Sequence, residues 1–211
     1  MDHVPNKQSI KKILPHLRPE LESKISEVGK IIEVKKAQTI VVEGQYIRKI
    51  PIVIQGLLKV ITSSEEKDLL VYYIKPGESC IMSFSAALNN EKSRIIATAE
   101  EDTFILLLPS QEVFIWVKEY QEFNSLFYRQ YHQRYLDLLE TIDQLVNENL
   151  DERIYSYLKN KVLLTGKNPM KISHRIIASE VGTSREVVTR IIKKLDNSKR
   201  VVQLENSIQV L

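Results

Sequence analysis

The side chains best suited to recognition chemistry lie near the C-terminus, on a segment that mixes charged and apolar residues. In residues 183–195, TSREVVTRIIKKL, the apolar members recur at the spacing of one helical face: Val188, Ile191, Ile192 and Leu195. The opposite face then carries the hydrogen-bonding side chains: Arg185, Glu186, Thr189, Arg190 and Lys193. Arg pairs bidentately with guanine, and Glu accepts from the cytosine amine. The segment therefore predicts a helix that contacts base edges in the major groove, at a short G·C-containing site.

A second helix and a tight turn are predicted just before this segment, in SHRIIASEVG. Ala178 supplies the small side chain that two closely crossing helices need, and Gly182 tolerates a positive φ angle. Two roles for Glu186 stay open, because with Thr183 as N-cap it would also close a capping box. The alternative to the whole helix-turn-helix is an ordinary solvated helix surface.

A long helix is predicted over about 122–147, which contain no Pro or Gly. Its apolar residues follow spacings of 3, 4, 3, 4 and 3, typical of a coiled-coil seam: Tyr128, Tyr131, Tyr135, Leu138, Ile142 and Leu145. A single helix cannot bury such a seam against itself, so we expect a parallel homodimer along it. The alternative is a helix that packs only on its own domain.

The preceding part of the chain has the pattern of an all-β roll or barrel. Short β-rich runs begin at Ile31 and end near Pro109, with turns at Gly44, Gly56 and Gly77. An unrelated β-sandwich is the alternative. After Lys199-Arg200, two alternating runs joined at Glu205-Asn206 predict a hairpin beside the helices. Helix N-caps are predicted at three residues: Ser110, Asp151 and Thr183.

Charge is unevenly distributed along the 211 residues, whose formal net charge is +3. Residues 150–211 hold twelve Lys or Arg against six Asp or Glu, a net charge of +6, and the remaining 149 residues hold 18 against 21, a net charge of −3. A basic excess around the predicted helix-turn-helix favours a phosphate-backbone partner. The single cysteine, Cys80, excludes an internal disulfide. With no apolar run long enough to cross a bilayer and no signal-peptide pattern in 1–8, the prediction is a cytoplasmic protein.

The order β-roll, long helix and winged helix-turn-helix resembles the Crp/Fnr family of bacterial transcription regulators, over nearly the whole chain. The strongest local match is GTSREVVTRIIKKL, which is similar to the family's recognition helix. The resemblance implies an α+β fold with a β-roll sensing domain at 1–119, a dimerisation helix at 120–149 and a DNA-binding domain at 150–211. It implies a homodimer on palindromic double-stranded DNA, with RNA polymerase as a further partner. The implied DNA-binding residues are Ser173, Thr183, Ser184, Arg185, Glu186, Thr189, Arg190 and Lys193.

The effector pocket of the family is where the resemblance is weakest. Cyclic-nucleotide-binding members carry a Gly-Glu pair after the PGE-like turn and an Arg-Ser pair further on, and here Met82 and Ser83 occupy the first pair of positions. Downstream the order is Lys92-Ser93-Arg94. The residues implied for the pocket are Met82, Ser83, Ser93, Arg94, Tyr131 and Tyr135. An aromatic wall suits an apolar or planar ligand, or none, so we expect an effector other than a cyclic nucleotide.

The chain has few residues suited to other kinds of sensing site or to a catalytic site. One Cys excludes an all-Cys iron–sulfur cluster within one chain. Four histidines, none of them a close pair, do not indicate a haem or metal site: His3, His16, His132 and His174. We therefore predict no cofactor, no metal and no enzymatic activity, with a metal-dependent oxygenase as the alternative class. Within the regulator class, a constitutive DNA-binding dimer with a vestigial pocket and a cyclic-nucleotide-responsive regulator are the alternatives.

Overall fold

The computed structural model describes residues 7–63, 68–147 and 149–211, with side chains described except at 7–9, 63, 68, 140, 141 and 143–147. These residues fall into two compact units. One comprises the described residues up to Thr62 and from Val71 to Tyr135. The other comprises Leu136–Leu211 and the described residues from Ser63 to Leu70. The division therefore falls inside the long helix.

The first half of the chain is rich in strands, and the second half is mostly helical. In chain order they are α1 (Lys7–Ile13), α2 (Pro19–Val28), β1 (Lys30–Val34), β2 (Thr39–Val41), β3 (Lys49–Gln55), β4 (Leu58–Ser63), β5 (Asp68–Ile74), α3 (Ile81–Leu88), β6 (Ile96–Ala99), β7 (Thr103–Pro109), α4 (Ser110–Glu119), α5 (Gln121–Asn147), α6 (Leu150–Thr165), α7 (His174–Val181), α8 (Arg185–Asn197), β8 (Val201–Gln203) and β9 (Ile208–Val210). This order confirms the predicted α+β fold class, with a roll, a long helix, a helix-turn-helix and a terminal hairpin.

Two facing sheets make up the roll. One has the strand order β1-β7-β3 and the other β2-β6-β4-β5. β7 pairs antiparallel with both β1 and β3, and five consecutive residues of β3, from Ile50 to Ile54, are buried. The first part of α5 packs on this core through Phe123 and Phe127. The roll therefore anchors the N-terminal half of the long helix.

The second unit is a small helical domain closed by the β8–β9 hairpin. Its core is formed by apolar residues from all three helices and both strands, among them Ile154, Leu158, Ile177, Ile192, Val201 and Ile208. Strand β9 also bridges Met170 through two backbone hydrogen bonds of 2.9 Å at Ile208. The hairpin is thus part of the folded domain, and it lies beside the helices as predicted.

All three predicted N-caps are one or two residues away from the observed ones. α4 begins at Ser110 itself with Pro109 before it, and α6 is capped by Asn149, whose side chain accepts from the Glu152 N–H. α8 is capped by Ser184, whose Oγ accepts from Val187 at 3.3 Å. Thr183 and Glu186 therefore do not form the predicted capping box. Several neighbouring polar residues were competent caps, and the backbone path selects among them.

Candidate nucleic-acid interface

The first helix of the helix-turn-helix, α7, is capped at both ends. α7 starts after Ser173, whose Oγ accepts from Ile176 at 3.3 Å, and it stops at Gly182, whose φ is +76°. In the turn, the Thr183 N–H donates to the Ala178 carbonyl oxygen at 2.9 Å. A side chain at position 182 would be strained in this left-handed backbone. The predicted roles of Ala178, which is buried, and Gly182 are both observed.

Five of the predicted DNA-binding side chains lie together on the outward surface of α8. This recognition face, defined here as Arg185, Glu186, Thr189, Arg190 and Lys193, consists entirely of exposed residues. The opposite side of α8 is buried in the domain core. Ser173 and Ser184 are exposed as well, and Thr183 is half-buried. The domain therefore holds the helix from behind and presents its polar side outward.

Glu186 is held in its ionised form at the start of α8. Its carboxylate accepts hydrogen bonds from its own backbone N–H and from the Ser184 hydroxyl, and these lower its pKa below the ordinary value. Arg185 adds a smaller effect in the same direction. At neutral pH the group is therefore an acceptor only, which is the form that a cytosine amine requires.

A histidine that sequence reasoning left aside contacts the recognition face. His174 Nδ1 lies 2.9 Å from Thr189 Oγ, and Thr189 Oγ also donates to the Arg185 carbonyl oxygen at 2.9 Å. Partial burial, and to a lesser extent the positive charge of Arg185, lower the pKa of His174. The two residues are 15 apart in the chain, so no local sequence pattern indicates their pairing.

A buried polar cluster ties α6 to α7 behind the recognition face. Lys161 Nζ lies 3.0 Å from Glu180 Oε2, and the Tyr157 hydroxyl donates to the same oxygen at 2.7 Å. The Lys161 and Glu180 side chains are only 8% and 4% exposed. Buried charges of this kind persist because each satisfies the other. Sequence reasoning missed this cluster too, because helical periodicity does not show which charged residues turn inward.

The seam predicted on α5 is exposed on the single chain. Tyr128 is 71% exposed, Tyr135 59%, Leu138 55% and Ile142 48%, while Tyr131 is 38% exposed. The side chain of the sixth predicted member, Leu145, lies outside the described residues. Four large apolar or aromatic side chains on one helix are therefore about half exposed or more, which is typical of an interaction surface.

The residues predicted for the effector pocket do not share one environment. Ser83 and Ser93 are buried, and the Ser93 hydroxyl donates to the Ile95 carbonyl oxygen at 3.0 Å. Met82 is 37% exposed. The Arg94 side chain is 80% exposed, with Glu91 at 3.9 Å. The structure thus brings the cation to the surface and leaves the serines inside.

Aromatic side chains fill the space between α3 and α5. Phe84 stacks on Phe127 with ring centroids 4.2 Å apart, and it meets Tyr131 edge-on at 6.4 Å. The Tyr131 hydroxyl donates to the Ile81 carbonyl oxygen at 3.4 Å. Tyr135 is exposed, one helical turn further along α5. The aromatic wall predicted for this level is therefore largely packed against α3.

Polar groups surround the start of α3, and only Ser83 among them was singled out by sequence reasoning. Arg134 pairs with Glu78 at 3.0 Å, and Gln130 Oε1 accepts from the Ser79 N–H at 2.8 Å. Two buried atoms here, Ser83 Oγ and Gln130 Nε2, make no hydrogen bond within the described part of the chain. Buried polar atoms of this kind usually have a partner, such as an ordered water or a ligand.

Cys80 caps α3 from a fully buried position. Its sulfur accepts from the Ser83 N–H at 3.4 Å and lies 3.7 Å from the Tyr72 hydroxyl. Burial raises the pKa of Tyr72, so this hydroxyl stays neutral. The thiol is therefore a small buried side chain of the core.

The chain resembles known proteins in its structure and not in its sequence. At the level of sequence, no protein-family model and no curated protein matches the chain. Solved structures, in contrast, match the chain over most of its length. A transcriptional regulator of the Crp/Fnr family from Eubacterium rectale superposes with a TM-score of 0.82 at 24% identity, over 94% of this chain and 93% of that one. The fold is that of the Crp/Fnr regulators.

Two further structures share this fold at even lower sequence identity. The global regulator CLP of Xanthomonas campestris, described as responsive to c-di-GMP, has a TM-score of 0.76 at 16% identity, over 97% of this chain and 99% of that one. A Crp/Fnr regulator of Thermus thermophilus has a TM-score of 0.72 at 21% identity, over 86% and 93%. The chain thus matches each of these proteins over nearly its full length.

Across 7–63, 68–147 and 149–211, no helix is both long and apolar enough to cross a membrane. In the same ranges, no three His, Cys, Asp or Glu residues are grouped as metal ligands would be.

Proposed function

We propose that the protein is a sequence-specific DNA-binding transcription regulator that acts as a homodimer and has no catalytic activity. The observation that carries this proposal is the recognition face on α8, where two Arg, one Lys, one Glu and one Thr stand outward from a helix that is buried behind. Major-groove recognition requires this set of donors and acceptors on a rigid helix. The Crp/Fnr fold supports the proposal, because the solved structures that share it are transcriptional regulators.

Electrostatics support DNA as the partner. Residues 150–211 carry the net charge of +6 on the part of the chain that contains the recognition face, while the rest is slightly acidic. Basic excess of this kind supplies the sequence-independent part of binding to phosphates. We assign residues 1–119 to effector sensing, 120–149 to dimerisation and 150–211 to DNA binding, in the cytoplasm.

The exposed seam and the geometry of the duplex support a homodimer. Two copies joined along Tyr128–Leu138–Ile142 would present two recognition helices. Such helices enter successive major grooves when they lie about 34 Å apart, so the operator would be a palindrome with half-sites one helical turn apart. RNA polymerase would be the further partner of a regulator bound in this way.

Replacement of Arg185 by Ala is expected to relax base preference. A bidentate Arg–guanine contact contributes about 1–3 kcal/mol of discrimination, so the ratio of affinities for specific and scrambled duplexes should fall about 5- to 150-fold for each protomer. Gel-shift titration at fixed salt measures it, with the specific duplex taken from selection on a random pool by the wild-type protein.

Lys193→Ala is the matched comparison for Arg185→Ala on the same helix face. A phosphate contact carries no sequence information, so this change should weaken binding to both duplexes alike and lower the salt slope by about 1 for each protomer. An unaltered affinity ratio for Arg185→Ala, or a changed ratio for Lys193→Ala, contradicts these assignments.

For the effector, we propose a ligand other than a cyclic nucleotide. Arg94 is exposed beside Glu91, and the apolar Met82 stands at one of the two positions where the family has Gly-Glu. A cyclic phosphate needs a cation turned toward it, and a ribose needs a carboxylate acceptor. Calorimetric titration with cyclic AMP and cyclic GMP is expected to give no heat of binding at micromolar ligand. Micromolar affinity for either nucleotide would contradict this proposal.

A constitutive regulator with a vestigial pocket is the second candidate, and the packing of Phe84 against Phe127 and Tyr131 favours it. The two buried atoms without hydrogen bonds, Ser83 Oγ and Gln130 Nε2, favour a small polar ligand instead. Substitution of Gln130 by Leu distinguishes the two candidates. Loss of a ligand response in DNA binding supports an effector, and unchanged DNA binding under all conditions supports the constitutive regulator.

A further inference from the structure

The hydrogen bonds around Thr189 define which nitrogen of His174 carries a proton. The Thr189 hydroxyl has one proton, which it donates to the Arg185 carbonyl oxygen. Toward His174 Nδ1, 2.9 Å away, its oxygen is therefore the acceptor. The Nδ1 atom must then carry the hydrogen, so the lone pair of the neutral ring lies on Nε2. Protonation of the ring would turn Nε2 from an acceptor into a donor.

The ring lies at the border of the recognition face. His174 is the first residue of α7, and it lines a cleft of about 250 Å³ between the start of α7 and the β8–β9 hairpin. The charged groups around it are Arg185 on α8, Glu205 on the hairpin side of the cleft, and its neighbour Arg175 on α7. Partial burial and Arg185 disfavour the charged ring, so His174 is neutral at neutral pH without DNA.

A duplex that contacts the recognition face brings phosphates close to this ring, because Thr189 and Arg185 belong to that face. Nearby negative charge favours the protonated imidazole, and its Nε2–H then becomes a charged donor for a phosphate oxygen. The same phosphates offset the repulsion from Arg185.

We propose that His174 positions Thr189 through Nδ1 and takes up a proton when the protein binds DNA. This inference rests on the proposed function, because it requires a duplex at the recognition face. The pKa of the ring is then higher in the complex than in the free protein. The added affinity is fully present below the pKa of the free protein, and it is lost as the pH rises through the pKa in the complex.

The experiment is a titration of the selected palindromic duplex by fluorescence anisotropy at fixed salt, from about pH 5.5 to about pH 8.5, a range that spans histidine titration. Wild-type affinity should fall about tenfold across this range for each ring whose pKa differs by one unit between the two states. A scrambled duplex is measured in parallel, so that general electrostatic effects of pH are separated from those at the selected site.

Three variants assign the titrating group and separate positioning from charge. His174→Asn keeps an amide that can donate to Thr189 but cannot titrate, so the pH slope should vanish. It should retain more of the preference for the selected duplex than His174→Ala, which loses the Thr189 bond as well. Glu205→Gln removes the other titratable side chain that lines the cleft, and it should keep the wild-type slope.

The possible results distinguish this inference from the proposed function. A flat wild-type profile, or an equal slope in wild type and His174→Asn, overturns the inference while DNA binding stands. Equal preference of His174→Asn and His174→Ala overturns the positioning role. No binding of wild-type protein to any duplex at any pH overturns the proposed function and the inference together.

Discussion

A chain carrying Leu138→Glu is expected to be monomeric and to lose most of its affinity for a palindromic duplex. Leu138 lies in the middle of the exposed seam on α5, and a carboxylate there would face its own copy across a parallel dimer, where like charges repel. Two linked recognition helices gain about 10²- to 10⁴-fold in affinity over one, and a monomer forfeits that gain. Sedimentation equilibrium and anisotropy titration on full and half palindromes measure the two effects.

Gln133→Glu is the matched control, because it introduces the same charge at an exposed position on the other side of α5. It should remain a dimer with nearly the affinity of the wild type. A Leu138→Glu protein that still dimerises at micromolar concentration would remove the seam from the interface. A monomeric wild-type protein that binds full and half palindromes equally would remove the homodimer from the proposal.

Glu180→Ala is expected to destabilise the second unit strongly. It takes away the carboxylate that both Lys161 and Tyr157 bind, in a site that is almost fully buried. Removing one partner of a buried ion pair costs about 3–5 kcal/mol, because the other charge stays in a poor solvent. Hydrogen exchange of the α7 and α8 amides measures the local free energy of unfolding.

Two comparisons test the cause of that loss. Lys161→Met combined with Glu180→Leu removes both charges and should recover most of the stability. Lys194→Ala breaks the exposed ion pair with Asp151, which should cost less than about 1 kcal/mol. The single tryptophan, Trp116, belongs to the first unit, and its fluorescence transition should shift less than the α7 and α8 amides. A Glu180→Ala protein as stable as the Lys194→Ala protein would show that the buried cluster is unimportant.

Helical periodicity explains why the recognition face and the seam could be predicted. Val188 and Leu195 repeat at 3.6-residue spacing, and this pattern alone determines that Arg185 and Arg190 point outward. Gly182 is similarly informative, since few residues other than glycine fit a left-handed turn. These features depend on neighbours within two helical turns, which is the range over which a single sequence is informative.

The missed features depend on residues that are distant in the chain. His174 meets Thr189 across the turn, and Glu180 meets Lys161 across a helix–helix contact. The effector region shows the same limit, because Arg94 lies in an irregular loop segment whose path decides whether the cation faces inward or outward. A single sequence lists the polar groups available for such contacts, but the packing of the backbone selects which of them meet.

Labelling of the buried Cys80 thiol can be used to follow motion in the roll. Because Cys80 is fully buried, an alkylating reagent would reach its sulfur only after the packing around it opens. The rate of labelling would then report how often that opening occurs, without any added probe. A candidate effector that stabilises the roll should lower this labelling rate, so the rate can be used to screen for ligands.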